Sequence, residues 1–171
     1  LLRGGHAQTI AGVYLPSRLT RYAATRHIVD LEDGDQLVVH DDQPPDWPAG
    51  GPAALLVHGL GGCHGSPYMV RIAAKLVQRG VRVFRMDLRG WGAGAKLARH
   101  SFHAARTNDI SAVLAFVQET CPDSSITLVG FSLGGNMVLK LLGDRGRASD
   151  WAGLEACPTK AMAVAPPIDL M

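Results

Sequence analysis

Short apolar runs that alternate with helix-spaced stretches constrain this chain more than any other feature. Residues 53–57 (AALLV) read as a strand buried on both faces. Met69, Ile72, Ala73 and Leu76 follow at helical spacing, and Gly80 supplies a stop. Residues 81–86 are strand-like again. Ile110, Val113, Leu114 and Val117 repeat the helical stripe, closed by Pro122. Residues 125–129 form a third strand, 137–142 belong to a helix ending near Gly143, and 161–165 form a last strand stopped by Pro166-Pro167. Apolar strands alternating with helices predict an α/β fold, a mostly parallel sheet with helices on both faces. Ahead of it, residues 26–31 and 36–40 flank Glu32-Asp33-Gly34-Asp35, and Asp-Gly between two such runs predicts a leading antiparallel hairpin. Residues 41–52 hold four prolines and two glycines, which predicts a loop.

Composition narrows the class. At about 150 residues per domain, the 171 residues make one domain, 1–171, with an irregular lead-in over 1–24. Hydrophobic residues at 47% and charged residues at 19% suit a buried core and exclude a disordered or fibrous chain. The net charge is +2, and scattered Lys and Arg residues exclude a nucleic-acid partner. No apolar run approaches the ~18 residues of a membrane span. Cys63, Cys121 and Cys157 are odd in number and widely spaced, which fits neither a disulfide framework nor a CxxC site and predicts a reducing, cytoplasmic compartment. The chain opens on Leu1, with no charged-then-apolar leader before the body.

In an open parallel sheet the ligand lies at the carboxyl ends of the strands, so the residues that follow each strand carry the information. These are His58-Gly59-Leu60-Gly61-Gly62, then Asp87-Leu88-Arg89-Gly90-Trp91-Gly92, then Gly130-Phe131-Ser132-Leu133-Gly134-Gly135-Asn136. The last holds G-x-S-x-G between a strand and a helix. A turn that sharp puts its central residue in strained backbone, at a cost of about 1–3 kcal/mol. Gly130 and Gly134 lack the Cβ atoms that would collide there, so the Ser132 hydroxyl projects above the sheet. The Leu133 N–H then lies at a helix N-terminus, where negative charge is favoured. The glycine-rich turn at His58 and Gly59 can offer the Leu60 N–H to the same developing oxyanion, each donor being worth about 2.7–4 kcal/mol in an acyl-transfer transition state.

With these motifs in order, the chain resembles the α/β-hydrolase superfamily, and in detail its YheT-like esterase and lipase branch, which also carries the segment matched by His6-Ala7-Gln8-Thr9. The segment 99–109 is similar too, with Ala104 and Ala105 near where members often carry glycine. The resemblance implies the first six strands of an α/β-hydrolase sheet, Ser132 as nucleophile, and Leu133 and Leu60 as backbone donors. It implies a serine esterase or lipase acting on a small-molecule ester. Apolar Phe131, Leu133 and Leu60 favour an apolar acyl group. It also implies a triad acid and histidine beyond Met171, since no histidine lies between Leu133 and Met171. Asp144, Asp150, Glu155 and Asp169 fall before the expected positions, so the chain alone is expected to be nearly inactive. A sheet ending in an apolar edge strand is expected to aggregate or dimerise through it.

Other readings weigh against several residues. Ser132 could merely cap a helix. His58 is read as orienting or packing, and His40, His100 and His103 as ordinary surface or loop residues. Asp87 and Arg89 are read as local ion pairs, Trp91 as acyl pocket or packed ring, and Cys63 as a spectator thiol. No histidine–acid pair has metal-ligand spacing, so neither metal nor cofactor is expected. The glycines make no phosphate loop, since no lysine follows Gly65 and His64 takes the last position of a G-x-G-x-x-G. Thioester cleavage, acyl transfer to an alcohol, and a non-catalytic binding module are the alternatives at this point.

Overall fold

A computed structural model describes residues 23–145 and 157–168, together with Gly4. Residues 1–3 and 5–22 of the lead-in expected over 1–24 lie outside the described residues. Strands β1 (Thr25–Asp30) and β2 (Gln36–Asp42) form the expected hairpin, in register from Thr25 opposite Asp41 to Asp30 opposite Gln36. Its turn closes through Gly34 N–H to Leu31 O and Leu31 N–H to Asp35 O, each 2.9 Å. Gly34 sits at φ +79°, a conformation open to glycine at little cost.

The alternating elements follow as β3 (Ala53–Val57), α1 (Pro67–Val77), β4 (Arg82–Met86), a 3-10 turn (Gly92–Gly94), α2 (Asn108–Thr120), β5 (Ile126–Phe131), α3 (Leu133–Asp144) and β6 (Lys160–Val164). They build one six-stranded sheet in the order β1-β2-β4-β3-β5-β6. The pairs β3–β4, β3–β5 and β5–β6 are parallel, and β2 joins β4 antiparallel.

Strand alternation sorts the core into two layers. Ala53, Leu55 and Val57 point to the face covered by α2 and α3, against Ile110, Val113, Leu114, Met137 and Leu141. Ala54 and Leu56 point to the other face, against Met69, Ala73 and Val77 of α1. Full burial of a leucine such as Leu55 or Leu56 contributes about 1.5–3 kcal/mol. Because β4 and β5 lie on opposite sides of β3, with their helices on opposite faces, the order reverses there. In open α/β sheets such a reversal marks the carboxyl ends of the strands, here β3 and β5, as the side where ligands bind.

One loop boundary departs from expectation. The stretch read as loop from residue 41 begins at Gln43, because Asp41 and Asp42 are buried strand residues with arginine partners on β4. Arg82 grips Asp41 through Nη2 at 2.6 Å and Nε at 3.0 Å, and Arg85 grips Asp42 through Nε at 2.6 Å and Nη2 at 3.1 Å. α3 ends near Gly143 as expected, at Asp144, which pairs with Lys140 at 2.6 Å. Ala104 and Ala105 fit their turn without positive φ, Arg106 N–H donating to His103 O at 2.8 Å. At the far side, β6 is the outermost strand, with Met162 57% exposed.

Asp42 and Arg85 are both shielded from solvent, so removing one leaves the other charge uncompensated. Asp42→Ala is expected to lower the unfolding free energy by about 3 kcal/mol in urea titrations. Asp42→Leu combined with Arg85→Met should recover most of that loss; a double variant as unstable as the single one would contradict the pairing.

Candidate active site

Strand β5 ends at Phe131 and α3 begins at Leu133, so Ser132 alone turns the chain. It does so at φ 50° and ψ −118°, a region sparsely populated by residues with a side chain. Ser132 N–H donates to Val164 O on β6 at 2.9 Å, and its carbonyl accepts from Asn136 N–H at 3.0 Å. Asn136 Nδ2 in turn donates to Pro167 O at 2.8 Å. These bonds hold the turn while the Ser132 side chain stands exposed.

The flanking glycines are required by contact. A Cβ on Gly130 would overlap the carbonyl of Gly134, and one on Gly134 would lie 2.5 Å from His58 O and 2.6 Å from Val57 O. The first turn of α3 therefore rests on β5 and on the end of β3 at once. Gly59 is the third close approach: a Cβ there would lie 3.0 Å from Ser132 Cβ and 3.7 Å from Ser132 Oγ. The turns after β3 and β5 abut, as expected from sequence. Leu133 N–H, first of its helix, has no acceptor within it. Leu60 N–H has no backbone hydrogen bond among the described residues.

His58 fixes the direction of that turn. Leu88 N–H donates to His58 Nε2 at 3.0 Å, so the proton resides on Nδ1, which donates to Gly59 O at 2.7 Å. Burial pushes its pKa below the usual imidazole range, and the neutral ring has both nitrogens engaged. Gly59 O also accepts from Gly62 N–H at 3.0 Å. In a trans peptide the carbonyl and the following N–H point opposite ways, so this carbonyl sets the aim of Leu60 N–H.

Charged residues brace the rim. Arg89 donates to Asp33 and Asp35 through Nη1, at 2.6 and 2.7 Å, and to Asp109 through Nη2 and Nε, at 2.7 and 3.0 Å. Asp35 also receives the N–H groups of Arg99 and His100, the former holding its carboxyl furthest below the usual range. Trp91 packs edge-on against Phe102 at 5.9 Å, which favours the packed-ring reading. Cys63 is half-buried, its N–H donating to Ser66 Oγ at 3.0 Å.

His40 and His64 are the residues that sequence spacing missed. His40 is not a surface or loop residue: it stands in β2, its ring stacked on His64 at 3.5 Å and 14°, beside the fully buried Asp87. Asp87 accepts from His64 N–H at 2.7 Å, His64 Nδ1 at 2.8 Å and Ala93 N–H at 2.8 Å, with His40 Nε2 3.6 Å away. Ligand atoms of His40, His64 and Asp87 lie within 4.8 Å of one another, as do those of Asp33, Asp35 and His100. In the first group, near-parallel rings cannot turn both in-plane lone pairs on one ion. In the second, the Arg89 guanidinium already sits on both carboxylates. No histidine hydrogen-bonds Ser132 among the described residues. His103 accepts from Ala105 N–H at 3.1 Å, and His27 lies on Asp41 at 3.3 Å. His6-Ala7-Gln8-Thr9, Asp150, Glu155 and Asp169 lie outside the described residues.

Burial alone would raise the Asp87 pKa, but the His40 ring and the N–H groups of His64 and Ala93 outweigh it and hold the carboxyl at about 2. An unfolded carboxylate titrates at about 3.9, so Asp87 stabilises the fold above that pH and ceases to as the pH falls through 2. Urea titrations between about pH 5 and pH 2 should show a loss of roughly 2 kcal/mol that Asp87→Asn lacks. Equal slopes for the two proteins would contradict this assignment.

Known proteins are similar to this chain. The Escherichia coli candidate esterase YheT is 30% identical over 118 residues, covering 69% of this chain and 35% of its own length. Caenorhabditis elegans protein abhd-3.2 is 26% identical over 136 residues, covering 75% of this chain and again 35% of its own. The chain thus spans about a third of the length of these relatives. Among solved structures, XC6422 of Xanthomonas campestris, described as a serine hydrolase without a lid, superposes with a TM-score of 0.62 at 24% identity, covering 85% of this chain and 72% of its own. A family model described as the alpha/beta hydrolase fold matches residues 52–148, more than half of the chain. That span contains β3, β4 and β5 with both abutting turns, and the chain belongs to the alpha/beta hydrolase fold family.

Proposed function

We propose that this chain carries the nucleophile half of a serine carboxylic-ester hydrolase. The observation that carries the reading is Ser132 itself: exposed, at positive φ, with Gly59 packed against it. Ser132 Oγ attacks the ester carbonyl carbon and gives its proton to a histidine base. Carbonyl π electrons move onto oxygen, and the N–H groups of Leu60 and Leu133 hold that oxyanion. Collapse breaks the bond to the alcohol, which leaves with the proton, and water then releases the acid from the acyl-enzyme by the same steps in reverse roles. No histidine among the described residues hydrogen-bonds Ser132, so the base and its acid are assigned to other parts of the full-length protein, of whose relatives the chain spans about a third. His58 orients the Leu60 amide rather than taking the proton, because both its nitrogens are engaged. No metal or cofactor enters these steps.

Leu60, 69% exposed, and half-buried Phe131 stand beside the serine and favour an apolar acyl group, whereas the Leu133 side chain is buried beneath the turn. No helix among the described residues is long and apolar enough to cross a membrane. Three unpaired cysteines support a reducing, cytoplasmic setting. In the complete protein, a fluorophosphonate should label Ser132, and Ser132→Ala should lose at least about 10³-fold in ester turnover with its Tm retained. Labelling elsewhere, or turnover preserved in Ser132→Ala, would overturn the reading.

The outer edge of β6 supports self-association of the 171-residue chain, since Met162 and Val164 are exposed and that edge has no strand partner among the described residues. Light scattering should find dimers or larger species at high concentration; a monomer throughout would contradict it.

A further inference from the structure

We propose that Tyr68 is a positioning residue for this site, locking the turn that follows β3 against the turn that carries Ser132. The inference rests on the serine-hydrolase reading above. Tyr68 is the second residue of α1, immediately after Pro67, whose fixed φ pre-sets the helix start. Its phenol oxygen accepts the N–H of Gly59 at 2.9 Å. Its ring meets the edge of Phe131, the residue before Ser132, with centroids 5.2 Å apart and planes at 62°. One side chain thus touches both turns, each one residue ahead of an N–H or hydroxyl that the reaction uses.

Glycine leaves a turn free to rotate about two backbone angles, so Gly59 by itself does not aim the next amide. Here both of its polar groups are held. Its carbonyl receives His58 Nδ1–H and Gly62 N–H, and its N–H is given to Tyr68. Gly62 completes the fit, since a Cβ there would lie 3.1 Å from the Tyr68 hydroxyl. The peptides on either side of Gly59 are thereby fixed, and with them the direction of Leu60 N–H. Misplacing a catalytic donor by about 1 Å can lower a rate by up to about 10²-fold.

The position also requires the phenol to stay neutral. Burial raises the Tyr68 pKa, so the proton is retained through neutral pH. A phenolate would still accept from Gly59, but its charge would stand close to the developing oxyanion and oppose it.

The test uses the complete protein, with ester turnover and fluorophosphonate labelling as parallel readouts. Tyr68→Phe keeps the ring on Phe131 and removes only the acceptor. It should lower kcat about 10- to 30-fold, change KM less than about twofold, and slow labelling in step with kcat. As a second, fold-sparing measurement, 3,5-difluorotyrosine at position 68 acidifies the phenol without altering packing. The pH profile should then gain an alkaline limb, kcat falling about tenfold or more as the phenol ionises. Wild-type kcat in Tyr68→Phe, or a fluorinated protein with the wild-type pH profile, overturns the proposal. A wild-type protein that is never labelled and matches Ser132→Ala overturns the serine reading instead, and Tyr68 with it.

Discussion

The contact on which the site depends is the one between the start of α3 and the ends of β3 and β5. It exists because positions 130 and 134 carry no Cβ: the Gly134 backbone rests where a side chain would strike the carbonyls of Val57 and His58. Once the helix is that close, the single residue left between strand and helix has no relaxed conformation available. Ser132 takes φ 50°, and the bonds to Val164 O and from Asn136 N–H keep it there. Exposure of its hydroxyl, a free amide at the helix start, and contact with Gly59 all follow from that approach. Strain of about 1–3 kcal/mol at one residue is tolerated because the buried layers on both faces of β3 outweigh it many times over.

A second layer of order comes from charge. The rim above the sheet is built from turns, and buried charged side chains tie them together. Arg89 joins the β1–β2 turn to the start of α2, and Asp87 joins the turn after β3 to the turn after β4. Below them, paired arginines and aspartates fasten β2 to β4. Such pairs add less stability than apolar packing would, but they fix which loops meet. For a site made of two adjoining turns, that registration is what matters.

Elements whose signal is local were legible in the sequence. The hairpin, the alternating strands and helices, and the glycine-spaced turn around Ser132 each depend on residues a few positions apart, and each stands where the pattern put it. That the turns after β3 and β5 adjoin was legible too, because both glycine-rich motifs follow apolar strands of one parallel sheet and were read as facing one oxyanion. What escaped depends on partners distant in sequence. Asp41 and Asp42 read as loop because Arg82 and Arg85, which permit their burial, lie on another strand. The His40–His64–Asp87 cluster spans β2 and two separate turns, and no spacing rule links such residues. Tyr68 offered only a proline before it; its hydroxyl became meaningful once Gly59 lay beside it.

In the proposed site, two amides from adjoining turns face one point in front of a strained serine. A crystal structure of the complete protein after reaction with a fluorophosphonate tests it most directly. The phosphorus should be bonded to Ser132 Oγ, with its free oxygen about 2.7–3.1 Å from both the Leu60 and Leu133 nitrogens. A phosphonate oxygen directed into solvent, or an adduct on any other residue, would contradict it.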